Sequence, residues 1–244
     1  MEEKFTAFFD SGVGGLALLG EFCKRFPGER CIYYGDNANA PYGNRPHAEI
    51  CFLAEKAFAE ISRYPIKAAL IACNTVTAEC VEEMRKKYTF PIVGIEPAIK
   101  PAALSFPGGK VLLLATRATL QSERMEKLLS EYSAAADLIP YCPQELAGAV
   151  EKNIFDLEKI PLAEHLPKGE VDAVVLGCTH YSFLRKKIES WFACPVFDGI
   201  AATVRRLAIV ANICSENDRK TVKNGLFFMG SGAKKNKSVF ETMN

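Results

Sequence analysis

Apolar runs of strand length alternate along this chain with stretches whose hydrophobic positions recur every three or four residues. "FTAFF" (5–9) gives way to "GVGGLALLGEFCKRF" (12–26), a glycine-rich turn opening a helix. "CIYYGD" (31–36) leads through the loop "NANAPYGNRP", whose last proline starts a helical stretch over 47–63. Further runs cover 67–73, 90–95, 110–116, 136–141, 172–178 and 194–199, and "GLFFMGSG" (225–232) is a late strand. None alternates strictly between apolar and polar, as a half-exposed strand would, and helical patterns separate them. The expected fold class is therefore α/β, with parallel sheets covered on both faces.

The pattern also repeats. "IKAALIACNT" (66–75) and "VDAVVLGCTH" (171–180) each run from an aliphatic and a charged residue through an apolar strand to a cysteine with threonine close behind. Asp10 closes the first strand 63 residues before Cys73, and Thr116 closes a strand 62 residues before Cys178. "FPIVGI" begins 17 residues after the first cysteine, and "CPVFDG" 16 after the second. Such agreement predicts two α/β halves of like topology, related by a pseudo-twofold axis with a cleft between them. "EPAIKPAALSFPGG" (96–109), rich in Pro and Gly, marks the boundary. The expected division is 1–97 plus 210–244 for the first half and 98–209 for the second.

Composition narrows the function classes. Charged residues make up 24% and the formal net charge is +1, with no basic run beyond "AKKNK" near the end, so no nucleic-acid partner is expected. No apolar run approaches the roughly 20 residues that cross a bilayer, and "MEEKFTAFFDSG" lacks the form of a signal peptide, so the expectation is a cytoplasmic protein without a membrane partner. Nine cysteines occur without a CxxC pair, and His47, His165 and His180 lack zinc-ligand spacing. Neither a disulfide framework nor a metal is expected. Most of the cysteines, including Cys23, Cys51, Cys80 and Cys214, read as small buried hydrophobes.

Cys73 and Cys178 differ from these by position. Each ends a strand, where functional groups of open parallel sheets collect, and each precedes a helix whose N-terminus is expected to lower a thiol pKa. Two like thiols on opposite sides of one ligand suit inversion of a stereocentre, one removing the Cα proton while the other delivers a proton to the opposite face.

Together "FFDSGVGG", "YGDNANAPYG", "ACNTVTA", "GIEPA" and "VLGCTHY" resemble the motifs of the aspartate/glutamate racemase family over about residues 5–200. The resemblance implies cofactor-independent interconversion of L- and D-glutamate, supplying D-glutamate for peptidoglycan, in a homodimer. It points to Cys73 and Cys178 as acid/base residues, with Asp10 assisting the first and His180 the second. Substrate contacts would come from Ser11, Asn74, Thr75 and Thr179, with Tyr42 and Gly43 closing over the substrate. Thr116, Thr119 and Ser122 resemble its side-chain contacts. Glu151, with Glu145 as alternative, stands nearest the family's acidic position in a segment, "CPQELAGAVE", that departs from the usual pattern.

Blander readings stand beside these. Asn74, Thr75 and Thr179 have the chemistry of helix caps, Asp10 of a brace for the glycine turn, Asp36 of a turn residue and Asp198 of a structural one. The backbone N–H groups of "DSGVGG" could hold a carboxylate. Three other functions stand as alternatives: racemisation of aspartate, a small-anion binding module, and a dinucleotide enzyme, since "GVGGLA" followed by Asp36 formally fits that fingerprint.

Overall fold

In the computed structural model, which describes residues 4–213 and 225–243, each of the nine apolar runs is a strand. They are β1 (Phe5–Asp10), β2 (Cys31–Gly35), β3 (Ile66–Ile71), β4 (Ile92–Gly94), β5 (Lys110–Ala115), β6 (Asp137–Tyr141), β7 (Ala173–Gly177), β8 (Val196–Phe197) and β9 (Leu226–Met229). The helices between them are α1 (Leu16–Arg25), α2 (His47–Ile61), α3 (Asn74–Lys87), α4 (Ile99–Ser105), α5 (Arg117–Gln121), α6 (Glu123–Tyr132), α7 (Leu146–Asn153), α8 (Arg185–Phe192), α9 (Ile200–Val210) and α10 (Ala233–Met243).

Two sheets result, ordered β4-β3-β1-β2-β9 and β6-β5-β7-β8. Read from the opposite edge, the second runs β8-β7-β5-β6, the order of the first with β9 removed. All their pairings are parallel. The repeat in the sequence is thus a repeat in topology: β1 corresponds to β5, and β3, which ends before Cys73, to β7, which ends before Cys178.

Period two along each strand divides the core. In β1, Ala7 and Phe9 pack with Ile50, Phe58 and Val76 of α2 and α3, while Phe8 packs with Leu19 and Phe22 of α1. In β5, Val111 and Leu113 face Ile99, Ala102 and Met125 of α4 and α6. Leu112 and Leu114 instead join Phe8 and α1 in an apolar layer that also takes in Leu207 of α9 and Phe240 of α10. Each fully buried Leu or Phe in such a layer contributes about 1.5–3 kcal/mol. Helix ends follow dipole logic, with Arg85, Lys86 and Lys87 in the last turn of α3 and Glu123 and Glu126 in the first turn of α6.

Three expectations change at this level. Helix α9 packs mainly on α1, β3 and β4, so the chain returns to the first half near Gly199, about ten residues earlier than expected. Cys51 and Cys80 are not lone hydrophobes: α2 and α3 lie side by side and bring their Cα atoms to 5.7 Å, and the two residues form a disulfide. Cys178 opens a 3-10 helix over Thr179–Leu184, and only then does α8 begin. Cys214 lies outside the described residues. Among the described residues no helix is long and apolar enough to cross a membrane, and no group of His, Cys, Asp and Glu could hold a metal ion.

Candidate active site

The carboxyl ends of β1, β3, β5 and β7 converge, bringing the residues that follow them into one buried cleft. Cys73 and Cys178 are buried there, as are Asp10, Ser11, Asn74, Thr75, Thr116, Thr119, Thr179 and His180. The two thiols lie near enough that negative charge on Cys178 helps to raise the pKa of Cys73.

On the Cys73 side, the Ser11 hydroxyl lies 3.5 Å from the sulfur. Cys73 is the N-cap of α3, and the Val76 N–H does favour its thiolate. Burial and the nearby Asp10 carboxylate outweigh that, pushing the thiol up to about 11. The expected lowering by the helix terminus is therefore reversed, because a single amide and a dipole cannot replace the water that burial removes.

Cys178 has a different neighbour. His180 Nδ1 lies 3.7 Å from its sulfur, and His180 Nε2 lies 2.7 Å from Glu151 Oε1. Burial pulls the His180 imidazolium down, but hydrogen bonds and charge from Cys178 and Glu151 more than offset it and hold its pKa well above the usual range. Burial likewise penalises the Glu151 carboxylate, yet the His180 contact and charge, the Val13 N–H and Lys235 bring it down to about 2. The two groups form a buried ion pair.

This places Glu151 differently from the substrate contact expected of it. One oxygen takes the Val13 N–H at 2.7 Å along with His180, and the other takes Asn37 Nδ2 at 3.3 Å and Lys235 Nζ at 3.1 Å. Both oxygens are thus occupied by the protein's own groups, His180 among them. Glu145 is exposed at the start of α7 and points to no role in the cleft.

The glycine turn also differs from expectation. Gly12 N–H donates to Asp10 Oδ1 at 2.7 Å, and Val13 N–H to Glu151, so these amides hold the protein's own carboxylates rather than an incoming one. The same occupancy removes the phosphate cradle a dinucleotide would need. Asp36, the would-be ribose ligand, accepts from Tyr42 Oη at 2.6 Å, Asn39 and Ser231.

Capping explains some candidates and not others. Thr116 caps α5, accepting from Thr119 N–H, and Ser122 caps α6, accepting from Met125 N–H. Asp198 accepts from Ile200 N–H at 3.0 Å and pairs with Arg185, a structural arrangement. Thr179 donates across the cleft to Asp10 Oδ2 at 3.2 Å, so Asp10 joins the glycine turn to the second sheet. Its burial raises its pKa. Thr75, Thr116 and Thr119 form a triangle of hydroxyls with oxygen separations of 2.8–3.4 Å, bridging α3 and the end of β5. Asn74 is 4% exposed, yet neither Oδ1 nor Nδ2 has a partner among the described residues. A buried amide left wholly unpaired costs free energy and marks a place for a ligand.

Tyr42 is buried, and Gly43 touches the second half: its carbonyl accepts from Ala118 N–H at 3.0 Å. Lys235, Asn37 and Asn236 were not foreseen as site residues. Lys235 and Asn236 lie over 80 residues from Glu151 in the chain, and no local pattern announces them. A cavity of about 1060 Å³ lies apart from the thiols, between β4, α4 and α9. Neither cysteine nor histidine lines it.

Two like parallel sheets, each delivering a strand-end thiol to a common cleft, define a two-thiol racemase, and the chain belongs to the Asp/Glu/hydantoin racemase family, whose profile matches residues 21–207. Among its relatives, the glutamate racemase of Clostridium acetobutylicum is 36% identical over 89% of this chain and 90% of its own length. That of Leptospira interrogans serovar Lai is 39% identical over 81% and 79%. The crystal structure of Escherichia coli glutamate racemase with L-glutamate and its activator UDP-MurNAc-Ala superposes with a TM-score of 0.82, at 30% identity, covering 99% of this chain and 95% of that one.

Proposed function

We infer that this protein interconverts L- and D-glutamate without a cofactor, supplying D-glutamate for peptidoglycan synthesis, by passing the Cα proton between Cys73 and Cys178. The observation that carries the assignment of residues is the meeting of two buried thiols from corresponding strand ends. One sulfur removes the Cα proton from one face while the other protonates the opposite face, and the roles exchange in reverse. A thiol held near pKa 11 is protonated at neutral pH, so Cys73 starts as a proton donor. His180, kept charged by Glu151, carries the proton balance on the Cys178 side. Asn74 would gain in the substrate the partners it lacks, and the hydroxyls of Thr75, Thr116 and Thr119 offer donors to a carboxylate. Ser11 would steady the Cys73 sulfur, and Thr179 and Asp10 the join between the halves. Tyr42 and Gly43 would cover the bound amino acid and exclude water, which strengthens every charge interaction inside.

The reading extends to a cytoplasmic homodimer without a nucleic-acid partner. The near-zero net charge supports the last point, and sedimentation at micromolar concentration checks the second. Incubation with L-glutamate in deuterated water, without added cofactor, tests the reaction itself. The expected product is D-glutamate carrying deuterium at Cα. Product lacking deuterium, or no product unless a cofactor is supplied, would overturn the mechanism.

A further inference from the structure

The terminal helix α10 reaches the cleft through one side chain. Lys235 Nζ donates to the Glu151 carbonyl at 2.7 Å and to Glu151 Oε2 at 3.1 Å. Its position is built. Asn236 Nδ2 donates to Asn37 Oδ1 at 2.8 Å, and Asn37 Nδ2 in turn contacts Asn236 Oδ1 at 3.2 Å and Glu151 Oε2. Asn236 is fully buried. A side chain at Gly35 would strike its Nδ2 at 2.0 Å, so glycine there lets the helix dock. Val239 and Phe240, buried in the shared apolar layer, hold the rest of α10 down.

We propose that Lys235 is a positioning residue for the racemase reaction: by clamping Glu151 at both its carboxylate and its carbonyl, it sets where Glu151 stands and how strongly Glu151 holds the proton of His180 beside Cys178. The inference rests on the racemase reading above and adds a residue to it. The Glu151 carboxylate meets two cationic side chains from opposite sides, His180 at one oxygen and Lys235 at the other. Removing the second leaves the first as the carboxylate's one counter-charge among the described residues. Among the described residues, the groups facing His180 and its carboxylate are Cys178 from its own segment, Glu151 from α7, Asp10 from β1 and Lys235 from α10. Tyr33 from β2 stands nearby, donating to the Gly12 carbonyl at 2.8 Å. Only Lys235 is a permanent cation, so its loss is felt at His180 as a tighter hold on the proton.

Direction matters here. Enantiomers are equal in free energy, so kcat/KM must be the same from L- and from D-glutamate in any variant. A device acting on the Cys178 side alone keeps the two kcat/KM values equal to each other, and its one-sided action is expected in kcat and KM, which are free to change by different factors in the two directions.

The test compares Lys235→Met and Lys235→Arg with the unaltered protein. Lys235→Met is expected to lower kcat/KM by about tenfold, the scale of one hydrogen bond to a charged group. It should also move the alkaline limb of the pH profile to higher pH and alter kcat for L- and D-glutamate by different factors. Lys235→Arg should restore the pH limb. In parallel, the NMR titration of His180 in 15N-histidine-labelled protein, assigned with His180→Asn, should move to higher pH in Lys235→Met. An unmoved His180 titration, or equal losses in both variants with an unchanged pH limb, would overturn the proposal in favour of simple packing. If the unaltered protein did not racemise glutamate at all, the racemase reading would fail, while the His180 titration would still judge the clamp.

Discussion

Cys73 and Cys178 share a residue type and a strand-end position, but their surroundings separate them: a serine hydroxyl beside one, a buried imidazolium beside the other. Cys73→Ser and Cys178→Ser should each cut racemisation by on the order of 10²–10⁴-fold, the usual worth of a positioned acid or base. Calorimetry should show glutamate still binding, and near-normal turnover in either variant would remove the two-thiol mechanism. Glu151 makes a separate prediction through stability. Its folded pKa of about 2 lies below the ordinary 4.5, so its contribution is complete above about pH 4.5 and lost as the pH falls toward 2. His180, raised above 6.5, makes the mirror statement: its share is complete below 6.5 and lost as pH rises through the elevated value. Both describe one ion pair, counted once. Glu151→Gln should destabilise the protein by about 3–5 kcal/mol at neutral pH, the cost of leaving a buried partner uncompensated. Urea unfolding across pH 2–7 should show the acid-side loss flattened in that variant, and identical slopes would contradict the assignment.

Between elements, glycines set how closely the two halves approach. A Cβ at Gly43 would come within 2.6 Å of Thr116 Cβ, and one at Gly14 within 2.4 Å of Thr179 Oγ1. Gly43→Ala should push the Tyr42 loop off the second half and raise KM by about tenfold, in keeping with overpacking costs of 1–3 kcal/mol, with little change in thermal midpoint. Kinetics and a melting curve on the same sample check this, and an unchanged KM would show the loop does not define the closed cleft. Strands were legible at this scale because the inner strands β1, β2, β3, β5 and β7 are buried almost throughout, which writes continuous apolar runs into the chain. The 3-10 turn after Cys178 was not, since Thr179–Leu184 carries an ordinary helical pattern.

Across the whole molecule, the halves touch at the cleft through the Thr75–Thr116 hydroxyls, Asp10 with Thr179, and Gly43 with Ala118. Glutamate bound among these contacts should hold the halves together. Chymotrypsin cleavage after Tyr42, in the loop carrying Tyr42 and Gly43, is expected to slow when glutamate is present, and an unchanged rate would argue against closure.

The amino-acid sequence alone determined the α/β class, the doubling of the unit and the place of both thiols at strand ends. Each is written locally, in runs of a few residues or in their spacing. Only the tertiary structure decided what those thiols and their neighbours meet. Glu151 finds His180, Val13, Asn37 and Lys235 across separations of 29 to 138 residues. Cys51 finds Cys80 through the packing of two helices, and α9 crosses to the first sheet. Burial itself reverses the shift expected at Cys73. Desolvation and charge pairing depend on how closely distant segments approach, and that approach is a property of the packed chain rather than of any stretch within it.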